Sequence, residues 1–123
     1  MVAGGGDDEI AGNDGDNTLV GHGGDDLIDG RAGDDVISGG HGDDHLTGGN
    51  GQDILEGNAG DDTADGGQGN DELYGGAGGD VLIDGAGKDT VYGGDGNDHL
   101  IAAADGDDDV LDGGAGCDTL DYS

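Results

Sequence analysis

Residues 39–56 read GGHGDDHLT GGNGQDILE, and residues 66–83 read GGQGNDELY GGAGGDVLI. Each stretch is two copies of one nine-residue unit, and residues 93–101 (GGDGNDHLI) add another in the same frame. Carried backward, the frame starts at 3, 12, 21 and 30, and residues 57–65 and 84–92 fill the gaps between the clear copies. The last copy, 113–121 (GGAGCDTLD), follows an eleven-residue stretch, 102–112. Reading 104–112 as a repeat leaves Ala102 and Ala103 as a two-residue insertion. About thirteen repeats therefore run as one array over residues 3–121.

Each position in the frame has a physical task. Position four is Gly in every copy except at Asp107, and position one is Gly except at Ala3, Asp84 and Ala104. Glycines at positions one, two and four permit the positive φ and the close backbone approach of a turn. His22 and Arg31 stand at position two, where Gly is usual, and are expected to need a more ordinary backbone angle. Position eight is a large aliphatic residue in all copies but one, where Ala64 stands. Positions seven to nine thus read as a three-residue strand with its middle side chain inward. A strand that short is unstable alone. Stacking like strands above and below satisfies their backbone groups and builds an aliphatic ladder. Two repeats on opposite sides make one coil, and six or seven coils make a rod about 30 Å long.

Composition excludes an ordinary globular core. The chain has 123 residues with 34 Gly, no Pro, no Phe and no Trp, and 31 acids against 2 basic residues give a formal charge of −29. Without the period, this would read as disorder. Such a charge repels nucleic acid and anionic membrane surfaces. No apolar run approaches a membrane span. Cations are the natural partners, and carboxylate and carbonyl oxygens favour hard ones such as calcium.

Position six carries the candidate ligands: Asp8, Asp26, Asp35, Asp44, Asp53, Asp62, Asp71, Asp80, Asp89, Asp98, Asp109 and Asp118, with Asn17 the single substitute. The unit resembles the RTX (repeats-in-toxin) family, whose signature G-G-x-G-x-D-x-U-x is a calcium-binding β-helix repeat. The twelve-residue loop and closing Glu of an EF-hand are absent. The resemblance implies an all-β, right-handed parallel β-roll solenoid ordered by calcium. In it each ion sits between loops n and n+2, held by carbonyls of the first four loop positions and by position-six carboxylates that bridge successive ions. Carried over, Asp26, Asp44, Asp62, Asp80, Asp98 and Asp118 form one row, and Asp35, Asp53, Asp71 and Asp89 the other. Asn17 offers an oxygen without charge. The repeat at 104–112, with its insertion and Asp107, is expected to stack poorly on the loop of Asp89. At most about eleven interior ions fit.

The remaining features are minor. The position-five acids Asp7, Asp16, Asp25, Asp34, Asp43, Asp61 and Asp108 read as a solvated fringe that raises local calcium without ligating it. Lys88, also at position five, is expected to face solvent. Tyr74 and Tyr92 should stack on one outer face, and Ile83 and Ile101 on the other, with Val81 beside them. His22 and His41 share an edge but no repeat position. Cys117 is the one cysteine, so it offers no internal disulfide but could link two chains. No arrangement suggests nucleophilic catalysis, so an enzyme is not expected.

The resemblance implies a module of a larger bacterial protein, exported by a type I route and folding on calcium outside the cell. No signal peptide is visible after Met1, and the array looks excised from a parent with flanking domains. A calcium-stiffened adhesin spacer is the alternative. An ice-binding solenoid is remote, because Thr18, Thr47, Thr63, Thr90 and Thr119 form no regular outward row.

Overall fold

The computed structural model describes residues 1–122. Its chain is a two-sheet parallel solenoid. One sheet runs β1 (Glu9–Ala11), β3 (Leu27–Ala32), β5 (His45–Asn50), β7 (Thr63–Gln68), β9 (Val81–Ile83), β11 (His99–Ala102) and β13 (Thr119–Tyr122). The other runs β12 (Val110–Ala115), β10 (Thr90–Asp95), β8 (Glu72–Ala77), β6 (Ile54–Ala59), β4 (Val36–His41) and β2 (Thr18–Gly23). Successive strands alternate between sheets, so two repeats make a coil, and every pairing is parallel. Ile28 lies against Leu46, and Ile37 against Leu55.

Most strands span six residues, twice the expected three. They continue from position seven through position three of the next repeat. Parallel stacking joins backbone to backbone, so pairing persists through glycines that carry no strand propensity of their own. Val20 pairs with Ser38, and past the bend at position one His22 pairs with Gly40.

The position-eight ladder is the core. Ile28, Ile37, Leu46, Leu55, Ala64, Leu73, Leu82, Val91 and Leu100 are fully buried between the sheets. Leu111 is only partly buried and Leu120 is 50% exposed, so the ladder thins toward the last coil.

The expectation for His22 and Arg31 is corrected. Their φ angles are +87° and +82°, in the left-handed region that the position-two glycines also occupy. Pairing on the next coil, His22 to Gly40 and Arg31 to Gly49, holds the backbone there whatever the side chain. A Cβ in this region costs about 1–2 kcal/mol, and the unfolded-state entropy of Gly offsets part of any gain from removing it. His22→Gly is therefore expected to stabilise the roll by up to about 1 kcal/mol. A calcium midpoint for folding that moves upward in this variant would contradict the strain.

The repeat at 104–112 also stacks better than expected. Thr90 pairs with Val110 and His99 with Thr119, so the spacing between paired residues changes from 18 to 20 across the insertion and the ladder continues. No helix is long and apolar enough to cross a membrane among the described residues.

Candidate metal sites

The position-six side chains lie in two columns, one at each edge of the roll. Asp8 N–H donates to Asp26 Oδ1, Asp26 to Asp44, Asp44 to Asp62, Asp62 to Asp80, each at 2.8 Å, and the column continues through Asp98 to Asp118. On the other edge Asn17 N–H donates to Asp35 Oδ1, followed by Asp53, Asp71, Asp89 and Asp109. The two rows expected from the repeat phase are thus brought together in that order. The Asp89–Asp109 link, 3.0 Å, is made despite the insertion. Asp8, Asn17, Asp109 and Asp118 are half-buried at the ends of their columns, and the rest are buried.

One oxygen of each carboxylate is thereby committed to an amide. The other is not. Oδ2 of Asp26, Asp35, Asp44, Asp53, Asp62, Asp71, Asp80, Asp89 and Asp98 is buried without a hydrogen-bond partner. A buried acceptor left alone costs about 1–3 kcal/mol, and more when charged. Native interiors hold only a few such groups per hundred residues, so nine of them, aligned in two columns, point to a positive partner at each edge.

The position-one glycines bring a backbone oxygen close to the same carboxylates. A Cβ built on Gly48 would lie 2.6 Å from Asp53 Oδ2 and 2.6 Å from the Gly66 carbonyl oxygen of the next coil on that side. The same pair of oxygens converges at Gly30, from Asp35 and Gly48, at 2.5 and 2.7 Å. A carboxylate oxygen and a backbone carbonyl thus crowd each position-one Cα, at a distance that only glycine allows. Carboxylate plus backbone carbonyl is the donor set that calcium takes. The residues present therefore fit a hard divalent cation.

The electrostatics agree. Burial, the largest cause, pushes the Asp62 and Asp71 carboxyls up to about 7 and those of Asp80 and Asp89 up to about 6, with further upward pressure from neighbouring aspartates. Amide hydrogen bonds to each group oppose the rise without cancelling it. Without a cation, these middle carboxyls hold their protons to a higher pH than a free aspartate does.

The position-five acids do more than the solvated fringe that was expected of them. They are exposed, but Asp7 Oδ1 accepts the Asp25 N–H, Asp16 that of Asp34, and Asp25 that of Asp43, each at 2.9 Å. Asn70 and Asn97 do the same for Lys88 and Cys117. This outer ladder runs opposite in sense to the inner one, so most neighbouring loops on each edge are stitched in both directions.

A further acid escaped the sequence reading. Asp84 was taken only as an exception to glycine at position one, yet it is buried, and one carboxylate oxygen each from Asp84, Asp89 and Asp109 lies within 4.8 Å of the others. The available signal was an acid at position one falling in the same stack as the insertion. Among the described residues no histidine joins such a group; His22 and His41 border one shallow depression with Ser38 and Asn58. Tyr74 and Tyr92 stack as expected, with ring centres 5.4 Å apart, and Ile83 pairs with Ile101. Lys88 is exposed, as is Cys117, a free thiol.

Stacked coils, glycine turns and a buried acidic column at each edge define a parallel β-roll of the cation-binding kind. A model of the RTX calcium-binding nonapeptide repeat matches residues 2–37, 20–55, 38–73, 47–82, 74–107 and 101–122. The chain belongs to this family of calcium-binding repeats, a non-catalytic structural module. No curated protein and no solved structure matches the chain.

Proposed function

We propose that the array over residues 3–121 is a single calcium-triggered folding unit of a larger bacterial protein, released unfolded and ordered by calcium outside the cell. The two columns of unpartnered Oδ2 atoms carry this reading. An apo-roll would bury nine such oxygens without donors, so the cation is part of the fold rather than an ornament on it. Asp8, Asn17, Asp109 and Asp118 complete the columns at their ends. Exposed Cys117 is free to join two chains in an oxidising medium.

Each ion is taken to lie between loops n and n+2. The seven loops of the Asp8 column leave six gaps, and the six of the Asn17 column leave five, so about eleven interior ions is the ceiling. Leaving out gaps that involve the loops beginning at Ala3, Gly12 and Ala104 gives about eight ordinary sites. With few charges per ion, affinities belong to the extracellular range, roughly 10⁻⁴ to 10⁻³ M. Titration calorimetry is expected to find about eight ions taken up cooperatively, because filling one gap orders the loop that borders the next. Uptake of only one or two ions would rule out the array.

A further inference from the structure

Repeat 84–92 departs from the pattern where the next repeat on its side carries the insertion. At every other interior loop of these columns a glycine holds position one, because a side chain there would meet its own position-six carboxylate and the carbonyl of the following coil. Asp84 breaks that rule and is still 1% exposed. Room for it comes from Ala102 and Ala103. They lengthen the chain ahead of the following turn, and Ala103 N–H donates to Asp84 Oδ1 at 2.8 Å. The strand β9 stops at Ile83, one residue before Asp84, whereas most others run on through the turn. The acid and the insertion are thus two halves of one adjustment.

What the adjustment places in the gap is a third carboxylate. Asp84 and Asp89 are each 1% exposed, and each has a buried Oδ2 without a partner. Asp109, from the following coil, closes the group, with one ligand oxygen from each of the three within 4.8 Å of the others. No other such group of acids or histidines occurs among the described residues. Ordinary gaps depend on carbonyls and carry less charge.

We propose that Asp84, Asp89 and Asp109 form a distinct high-affinity cation site, which locks the irregular coil and fills before the ordinary turns. Resting on the calcium-array reading, it adds one ion to the ordinary set at a gap that the repeat pattern alone would discard. Calcium affinity rises with the number of charged ligands, and three carboxylates around one ion are expected to bind it at least about tenfold more tightly than the turns do.

The test is calcium titration of the full chain against a competing chelator dye, for the parent sequence and for Asp84→Asn. The parent is expected to show one ion at least about tenfold tighter than the cooperative remainder. Asp84→Asn, which keeps size and shape, is expected to lose that step while reaching the same circular dichroism at saturating calcium. If Asp84→Asn does not fold, Asp84→Gly with Ala102 and Ala103 deleted restores a regular repeat and is expected to bind with a single affinity class. A parent that fills all its sites in one uniform step, or a tight step that survives in the variant that folds, overturns the site and leaves the array standing. A parent that takes up no calcium overturns both.

Discussion

In metal-free buffer at about pH 7.5 the chain is expected to be expanded and without β-structure, and about 10 mM CaCl₂ is expected to convert it to a compact β-rich rod. Burial of one aliphatic residue per repeat, which is all the core amounts to, cannot offset backbone ordering that costs about 1–2 kcal/mol per residue. The formal charge of −29 opposes stacking further. About eight ions would carry about 16 positive charges and bring −29 to about −13. Because the ions bind the roll and not the coil, their binding free energy becomes folding free energy. Far-ultraviolet circular dichroism and size exclusion, with and without calcium, measure this directly. A chain already compact and β-rich in chelator at this pH would refute the switch.

Protons are expected to substitute in part for the metal. Asp62 and Asp71 titrate in the metal-free roll at about 7, and Asp80 and Asp89 at about 6, all above the ordinary 3.8 of an unfolded aspartate. The folded chain therefore binds more protons than the unfolded one between these values. The stabilisation this provides is fully present below the unfolded value and is lost as the pH rises through about 6 to 7. Metal-free samples should accordingly gain β-signal on acidification from about pH 7.5 to about pH 5. Where acid has already folded the roll, protons and calcium compete for the same oxygens, so calcium uptake by the acid-folded chain should release protons. Calcium uptake by the acid-folded chain that releases no protons would place the ions away from these carboxylates.

Leu82→Asp is expected to cut the array in two. Leu82 is fully buried in the position-eight ladder, paired between Ala64 and Leu100. The substitution removes aliphatic packing and sets an unpaired charge among hydrocarbon, for a loss of about 4 kcal/mol or more. Were all ions still taken up together, about eight of them would share that loss, and the calcium midpoint would rise only about two- to threefold. The larger effect is on cooperativity. Ala64 already thins the ladder beside Leu82, so a charge at 82 leaves two short blocks joined by a gap, each with fewer neighbours to order it. The transition should lose both steepness and amplitude. Lys88→Ala, at an exposed position-five side chain, should leave both unchanged. Equal titration curves for the two variants would mean that the ladder is not what holds the coils together.

Much of this was legible in the residues because a strict nine-residue phase assigns one environment to each position. Aliphatic residues at position eight must face a common interior, and aspartates at position six must fall into two columns, whatever the fine geometry. The same phase placed Tyr74 over Tyr92. Four features were decided only when the coils stacked. Strand length doubled because pairing follows the neighbouring backbone rather than the local side chains. His22 and Arg31 were held at positive φ by Gly40 and Gly49 on the next coil. The position-five acids acquired amide partners one coil away. Asp84 joined Asp89 and Asp109 beside the inserted Ala102 and Ala103, where Ala103 N–H holds its carboxylate. A repeat frame records what each residue does within its own nonapeptide. It does not record how a neighbour some twenty residues along the chain reshapes the gap between two coils, and that is where steric room, backbone strain and the third carboxylate were settled.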